Sequence, residues 1–204
     1  SQLVNAQHGL ASPVMKTSNG RILLYDRGGQ RLSVYSKSAL SAGISSDYTI
    51  YAADISDRGT FAVSTNSDEY LSQVFVYDGN GENIIFKWFS AEKPVIDVSL
   101  ADNRDAMVVG CVDVSDGGYL SSITRFQFSI EQELERAQFP GELLLSVDYF
   151  NSDTVFAVTD SRVVRLNGEL REVASYPFEG STLNQFLIRP DGGAVLLLGD
   201  YVET

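Results

Sequence analysis

The stretch Ile50-Tyr51-Ala52-Ala53-Asp54-Ile55-Ser56-Asp57-Arg58-Gly59-Thr60-Phe61-Ala62-Val63-Ser64-Thr65 decides how this chain is read. Two apolar runs, Ile50–Ile55 and Thr60–Thr65, flank a four-residue polar turn that ends in a glycine able to take a positive φ. Runs this short, with β-branched and aromatic residues on both sides of a tight turn, predict an antiparallel hairpin. A second hairpin follows. Gln73–Tyr77 and Asn83–Phe89 are joined by Asp78-Gly79-Asn80-Gly81, where Asn and Gly accept the backbone angles that hairpin turns demand. The unit is therefore four strands.

Its leading turn and strand recur along the chain. Thr17-Ser18-Asn19-Gly20 precedes Arg21-Ile22-Leu23-Leu24, and Ala101-Asp102-Asn103-Arg104 precedes Ala106-Met107-Val108-Val109. Asn151-Ser152-Asp153 leads into Thr154–Val158, and Pro190-Asp191-Gly192-Gly193 into Ala194–Leu197. From Gly20 to Gly59, Arg104, Asp153 and Gly192 the intervals are 39, 45, 49 and 39 residues. An all-strand period of roughly 40–50 residues is the signature of propeller blades. The expected fold is an all-β, WD40-like β-propeller of four-stranded antiparallel blades. Its units are expected near 11–49, 50–93, 94–142 and 143–182, with a partial fifth at 183–204.

One segment breaks the pattern. Ile130-Glu131-Gln132-Glu133-Leu134-Glu135-Arg136-Ala137 spaces its apolar residues as a helix does, and its composition favours a short helix over an outer strand. The fifth unit poses another question, because two strands leave the apolar run Ala194–Leu198 as an open edge that invites pairing. Ser1–Leu10 closing a five-bladed ring, further blades of a larger ring, or another chain would each cover it.

Composition agrees with strands and narrows the partners. Ten Tyr, eleven Phe and a hydrophobic fraction of 44% supply a core rich in strand formers. A net charge of −12, with scattered basic residues, disfavours binding to nucleic acid and to anionic membrane surfaces. Cys111 is the sole cysteine and lies in the apolar run Ala106–Val112, so a buried packing role is expected and no intrachain disulfide is possible. No 18-residue apolar run and no basic-then-apolar leader occur in the sequence.

Few residues carry chemistry. The single histidine, His8, lies in a short polar stretch without a G-x-S-x-G elbow elsewhere, so nucleophilic catalysis and a zinc site both lack their parts. Nothing implies a cofactor. Asp78-Gly79-Asn80-Gly81-Glu82 opens like a calcium loop, but Asn83 and Phe89 stand where such a loop needs Gly and a bidentate Glu, and a β-turn explains the same residues. No metal is expected. Paired carboxylates remain: Asp54 and Asp148 lie five residues before their turn markers, and Asp97 shares the alternation of its own strand. If first strands line a channel, these acids converge on a cation or a glycosidic oxygen; otherwise each meets a local backbone amide.

A second recurrence concerns binding. Ser67-Asp68-Glu69-Tyr70-Leu71-Ser72 is answered by Ser115-Asp116-Gly117-Gly118-Tyr119-Leu120-Ser121, both between the second and third strands of a unit. Asp68, Tyr70, Asp116 and Tyr119 are thereby candidates for one rim, where aromatic rings beside carboxylates suit sugars or peptides. The structural alternative is that the rings pack over their own turns.

The segments Ile22-Leu23-Leu24-Tyr25-Asp26-Arg27-Gly28-Gly29, Gln73–Gly81 and Asp116–Ser122 resemble an uncharacterised propeller-like family of Gram-positive, largely clostridial, bacteria. That resemblance implies an N-terminal membrane anchor, repeats displayed outside the cell, and proteins longer than 204 residues. It carries no known activity. The function expected is a non-enzymatic, extracytoplasmic recognition scaffold that binds a protein or glycan through a loop rim. The rival is a carbohydrate-active enzyme using channel acids, and the third reading is a structural or sensory spacer.

Overall fold

The structure, a computed structural model, describes residues 8–37, 39–102, 105–115, 117–151, 153–189 and 191–199. Among the described residues there are eighteen strands and no helix. The first sheet is β1 (Pro13–Ser18), β2 (Arg21–Asp26), β3 (Arg31–Tyr35) and β4 (Leu40–Ser45). The second is β5 (Ile50–Ile55), β6 (Phe61–Thr65), β7 (Ser72–Tyr77) and β8 (Ile84–Ser90). β9 (Val95–Leu100), β10 (Ala106–Ser115), β11 (Gly118–Gln127) and β12 (Ile130–Pro140) form the third. The fourth holds β13 (Leu144–Asn151), β14 (Thr154–Thr159), β15 (Arg162–Asn167) and β16 (Glu172–Pro177), and a hairpin of β17 (Leu183–Ile188) and β18 (Ala194–Leu198) follows. Within every sheet the strands pair antiparallel in chain order. These four sheets are the blades of a β-propeller, and the hairpin is a two-stranded fifth.

Turn chemistry sets this meander. Gly59 holds φ 90°, a left-handed conformation that L side chains rarely adopt, and its N–H donates to Ser56 O at 3.0 Å to close the turn between β5 and β6. The register then places Ile55 opposite Phe61 and Asp54 opposite Ala62.

Burial explains why the second strands read as continuous apolar runs. The second, third and fourth blades are each sandwiched between two neighbours, so alternate side chains on one of their strands enter different cores. In β6, Phe61 and Val63 pack with Leu23, Tyr25 and Leu32 of the first blade, whereas Ala62 packs with Val98, Met107 and Phe126 of the third. The same split recurs at β10, where Met107 and Val109 face the second blade and Ala106 and Val108 face Leu144, Val147 and Val155 of the fourth. Gly110 sits at the tightest approach. A Cβ there would stand 2.7 Å from Leu144 Cδ2, so glycine allows this close contact between the third and fourth blades and a side chain would force Leu144 to move.

The expected helix at Ile130–Ala137 is instead part of β12, the outermost strand of the third blade. Propensity yields to pairing here, because β11 offers a full ladder from Ser121↔Phe139 to Arg125↔Glu135. Charged residues on an outer strand also protect the sheet edge, which accounts for the composition. The fifth hairpin packs Leu183, Ile188, Leu196 and Leu198 onto Phe156, Val158, Val163 and Phe178 of the fourth blade. Its other face leaves Leu187, Val195 and Leu197 more than half exposed, and β18 pairs only with β17 among the described residues. Most of the segment considered for closing the ring, residues 1–7 of Ser1–Leu10, lies outside the described residues, and His8–Leu10 form no strand.

Candidate functional site

Two ends of the propeller carry the candidate residues. At one end the last residues of all five first strands surround a cavity of about 460 Å³, lined by Lys16 of β1, Asp54 of β5, Ser99 of β9, Asp148 of β13 and Ile188 of β17, among others. This is the mouth of the central channel. Asp54 and Asp148 open onto it, while Asp97 lies behind, 6% exposed.

The acids differ in what they hold. Asp54 Oδ2 accepts the Ser99 hydroxyl at 3.2 Å and the Leu100 N–H at 2.8 Å. Asp97 Oδ2 accepts the Ser146 hydroxyl at 2.8 Å and the Val147 N–H at 3.0 Å, and Oδ1 accepts the Val98 N–H at 3.0 Å. Both therefore bond a hydroxyl and an amide of the following blade and fasten one first strand to the next. Ser99 repeats the device toward the fourth blade, accepting the Tyr149 N–H at 2.9 Å. Asp148 alone makes no hydrogen bond among the described residues.

Lys16 was not anticipated as a site residue. The signal was present, since it is the only basic residue in the five first strands. Desolvation pulls the Lys16 ammonium down, but the fields of Asp54, Asp97 and Asp148 outweigh it, so its pKa stands above the ordinary lysine value. Burial pushes the Asp54 carboxyl up to about 6, against Lys16 and the N–H groups of Leu100 and Ile55. Asp148 is also raised by burial, with Asp97 and Asp102 adding to the effect and Lys16 opposing it. One ammonium thus serves three carboxylates from three other blades without forming an ion pair to any of them.

The opposite end carries the loops between second and third strands. Asp68 and Tyr70 lie there with Tyr48, Ser67, Glu69, Gln73 and Phe89 around a cavity of about 410 Å³. Tyr70 packs against Phe89 with ring centroids 4.9 Å apart, and Phe89 meets Phe75 edge-on at 6.0 Å. The Tyr48 hydroxyl donates to Asp68 Oδ2 at 3.1 Å, a bond that holds the phenol above its ordinary pKa. Tyr48, Gln73 and Phe89 lie outside the recurring Ser-Asp-Tyr segments, so sequence comparison between the two blades passes over them. Tyr119 stands in the next blade on an extended hairpin opposite Val114, and both are exposed. No ring contact joins it to Tyr70 among the described residues, and Asp116 lies outside the described residues.

Other sequence candidates are used locally. Asp78 Oδ2 accepts the Asn83 amide at 2.6 Å and Oδ1 accepts the Glu82 N–H at 3.1 Å, so the turn occupies the carboxylate that resembled a calcium ligand. His8 is exposed, and its Nδ1 accepts the Leu10 N–H at 3.0 Å. Cys111 is buried between the second and third blades, and desolvation pushes its thiol up to about 12.

The fold is shared by 548 similar solved chains, too many to select a function. One is the crystal structure of Chaetomium thermophilum Raptor, which aligns with 97% of this chain at a TM-score of 0.63 and 14% identity. The chain spans 20% of that protein's chain, and at such identity the likeness shows the fold alone. No curated protein is significantly similar to the sequence. A family's sequence profile does match residues 1–181, the span that carries the four complete blades. The chain belongs to that family of unknown function, DUF5711.

Proposed function

We propose that this domain is a non-enzymatic recognition scaffold that binds a protein or glycan through the rim bearing Asp68, Tyr70 and Tyr119. The observation that carries this reading is the cavity of about 410 Å³ on that rim, walled by three aromatic rings and two carboxylates. Rings beside hydrogen-bonding groups give apolar contact and orientation together, the usual composition of an interface centre. At the channel mouth the balance differs. Asp54 and Asp97 are engaged in fastening blades, which leaves Asp148 as the one carboxylate without a hydrogen bond, and glycoside hydrolysis needs two. The resemblance noted in the sequence supports placing the scaffold outside the cell.

The test is a paired substitution, Tyr70→Ala with Tyr119→Ala, compared with the unaltered protein on glycan arrays and in pull-downs. Loss of captured ligands with an unchanged unfolding midpoint is expected. Identical binding profiles would overturn the assignment of this rim.

A further inference from the structure

We propose that the cavity beside Tyr70 holds a guanidinium group, presented by an arginine side chain of a protein partner. This rests on the recognition reading above and names the chemistry of its ligand.

Three observations converge on a flat cation. The first is the wall composition: Tyr48, Tyr70 and Phe89 supply rings, Asp68 and Glu69 supply carboxylates, and no Lys or Arg lines the cavity. Aromatic faces attract cations through their quadrupole, and nearby carboxylates add a Coulombic pull. The second is Gln73, which is 8% exposed yet lines the same cavity. Its Nε2 donates to Thr65 Oγ1 at 3.0 Å and to Asn66 O at 3.2 Å, and the carbonyl partner fixes which end of the amide is nitrogen. Its Oε1 is thereby left as an acceptor with no partner among the described residues.

The third is the state of Asp68. The Tyr48 hydroxyl holds Oδ2, so the carboxylate is oriented, and Oδ1 accepts nothing among the described residues. Two separate acceptors in one cavity walled by aromatic rings match a guanidinium, whose plane stacks on a ring while its edge donates several N–H bonds. An ammonium offers no plane to stack, and a neutral sugar, whose hydroxyls donate to a carboxylate, brings no charge to balance it. The chain's net charge of −12 also draws a basic partner toward it.

The probe is the tripeptide acetyl-Gly-Arg-Gly-amide, titrated against the whole chain while the Gln73 side-chain amide and the Tyr70 backbone amide are followed by NMR. Saturable shifts at both are expected, with about tenfold weaker binding of the isosteric citrulline peptide because it lacks the charge. Asp68→Asn is expected to weaken the arginine peptide several-fold while leaving citrulline binding unchanged. Equal binding of arginine and citrulline peptides, or no shift at Gln73 and Tyr70, would overturn the proposal. A panel of neutral glycans run alongside separates the two readings: rim shifts with a glycan and none with arginine sink the guanidinium and leave recognition standing.

Discussion

The Ser99 hydroxyl donates to Asp54 across the seam between the second and third blades at 3.2 Å, and its oxygen accepts the Tyr149 N–H of the fourth at 2.9 Å. One small side chain, 5% exposed, thus ties three first strands together. Ser99→Ala strands a buried N–H and removes a donor from a carboxylate, so it is expected to cost about 2 kcal/mol. Ser129→Ala, on an exposed turn, is the control and should stay within about 0.5 kcal/mol. Urea unfolding of both variants checks this, and equal midpoints would remove the clamp from the account.

Asp54 makes stability depend on pH in an unusual direction. Its folded pKa of about 6 lies above the ordinary 3.8, because burial favours the neutral acid. The stabilisation from that proton is fully present below about 3.8 and is lost as pH rises through about 6. Relative to Asp54→Asn, the wild-type chain should therefore lose stability between pH 4 and pH 7. Lys16→Met removes the ammonium that opposes the shift and should move the fall to higher pH. Denaturant midpoints across the pH series decide, and a rise in relative stability over that window would contradict the assignment.

Cys111 should be silent to thiol reagents. It belongs to the same buried core as Val98, Met107 and Phe126, and a thiol pushed up to about 12 holds almost no thiolate at neutral pH. Labelling by an aromatic disulfide is expected to follow the rate of opening of the second and third blades and to become fast in denaturant. Rapid labelling of the native chain would show that this seam breathes.

The repeat made the propeller legible because its turns and apolar strands are short-range signals. Gly59 needs its positive φ whatever surrounds it, and the β6 and β10 runs declare burial on both faces. The segment Ile130–Ala137 failed for the opposite reason: pairing with β11 outweighs its helical spacing, and that is a tertiary fact. The places of Asp54, Asp97 and Asp148 in first strands are legible in the sequence, but whether each faces the channel or a neighbouring amide depends on stagger between blades. Asp97 takes the Val147 N–H, and Asp148 finds no donor. Gln73 was invisible because its significance comes from which end of its amide Asn66 occupies.

The hairpin β17–β18 should be the least stable part of the described fold. Its partners in the fourth blade, Phe156, Val158, Val163 and Phe178, are buried, but its own contributions to that core are only partly covered. Leu187, Val195 and Leu197 gain little from folding, at 61%, 51% and 58% exposure, whereas Met107 and Val108 of β10 are fully enclosed. Local opening of the hairpin therefore sacrifices one face of contacts, while opening β10 disrupts two cores at once. Hydrogen exchange should find the amides of β18 exchanging at least about tenfold faster than those of β10, the ratio expected for an opening cheaper by about 1.4 kcal/mol. Phe178→Ala, which removes a side chain 2% exposed beneath the hairpin, should widen that gap and leave β10 protection nearly unchanged. Equal protection of the two strands would mean that the hairpin and the blades unfold as one unit.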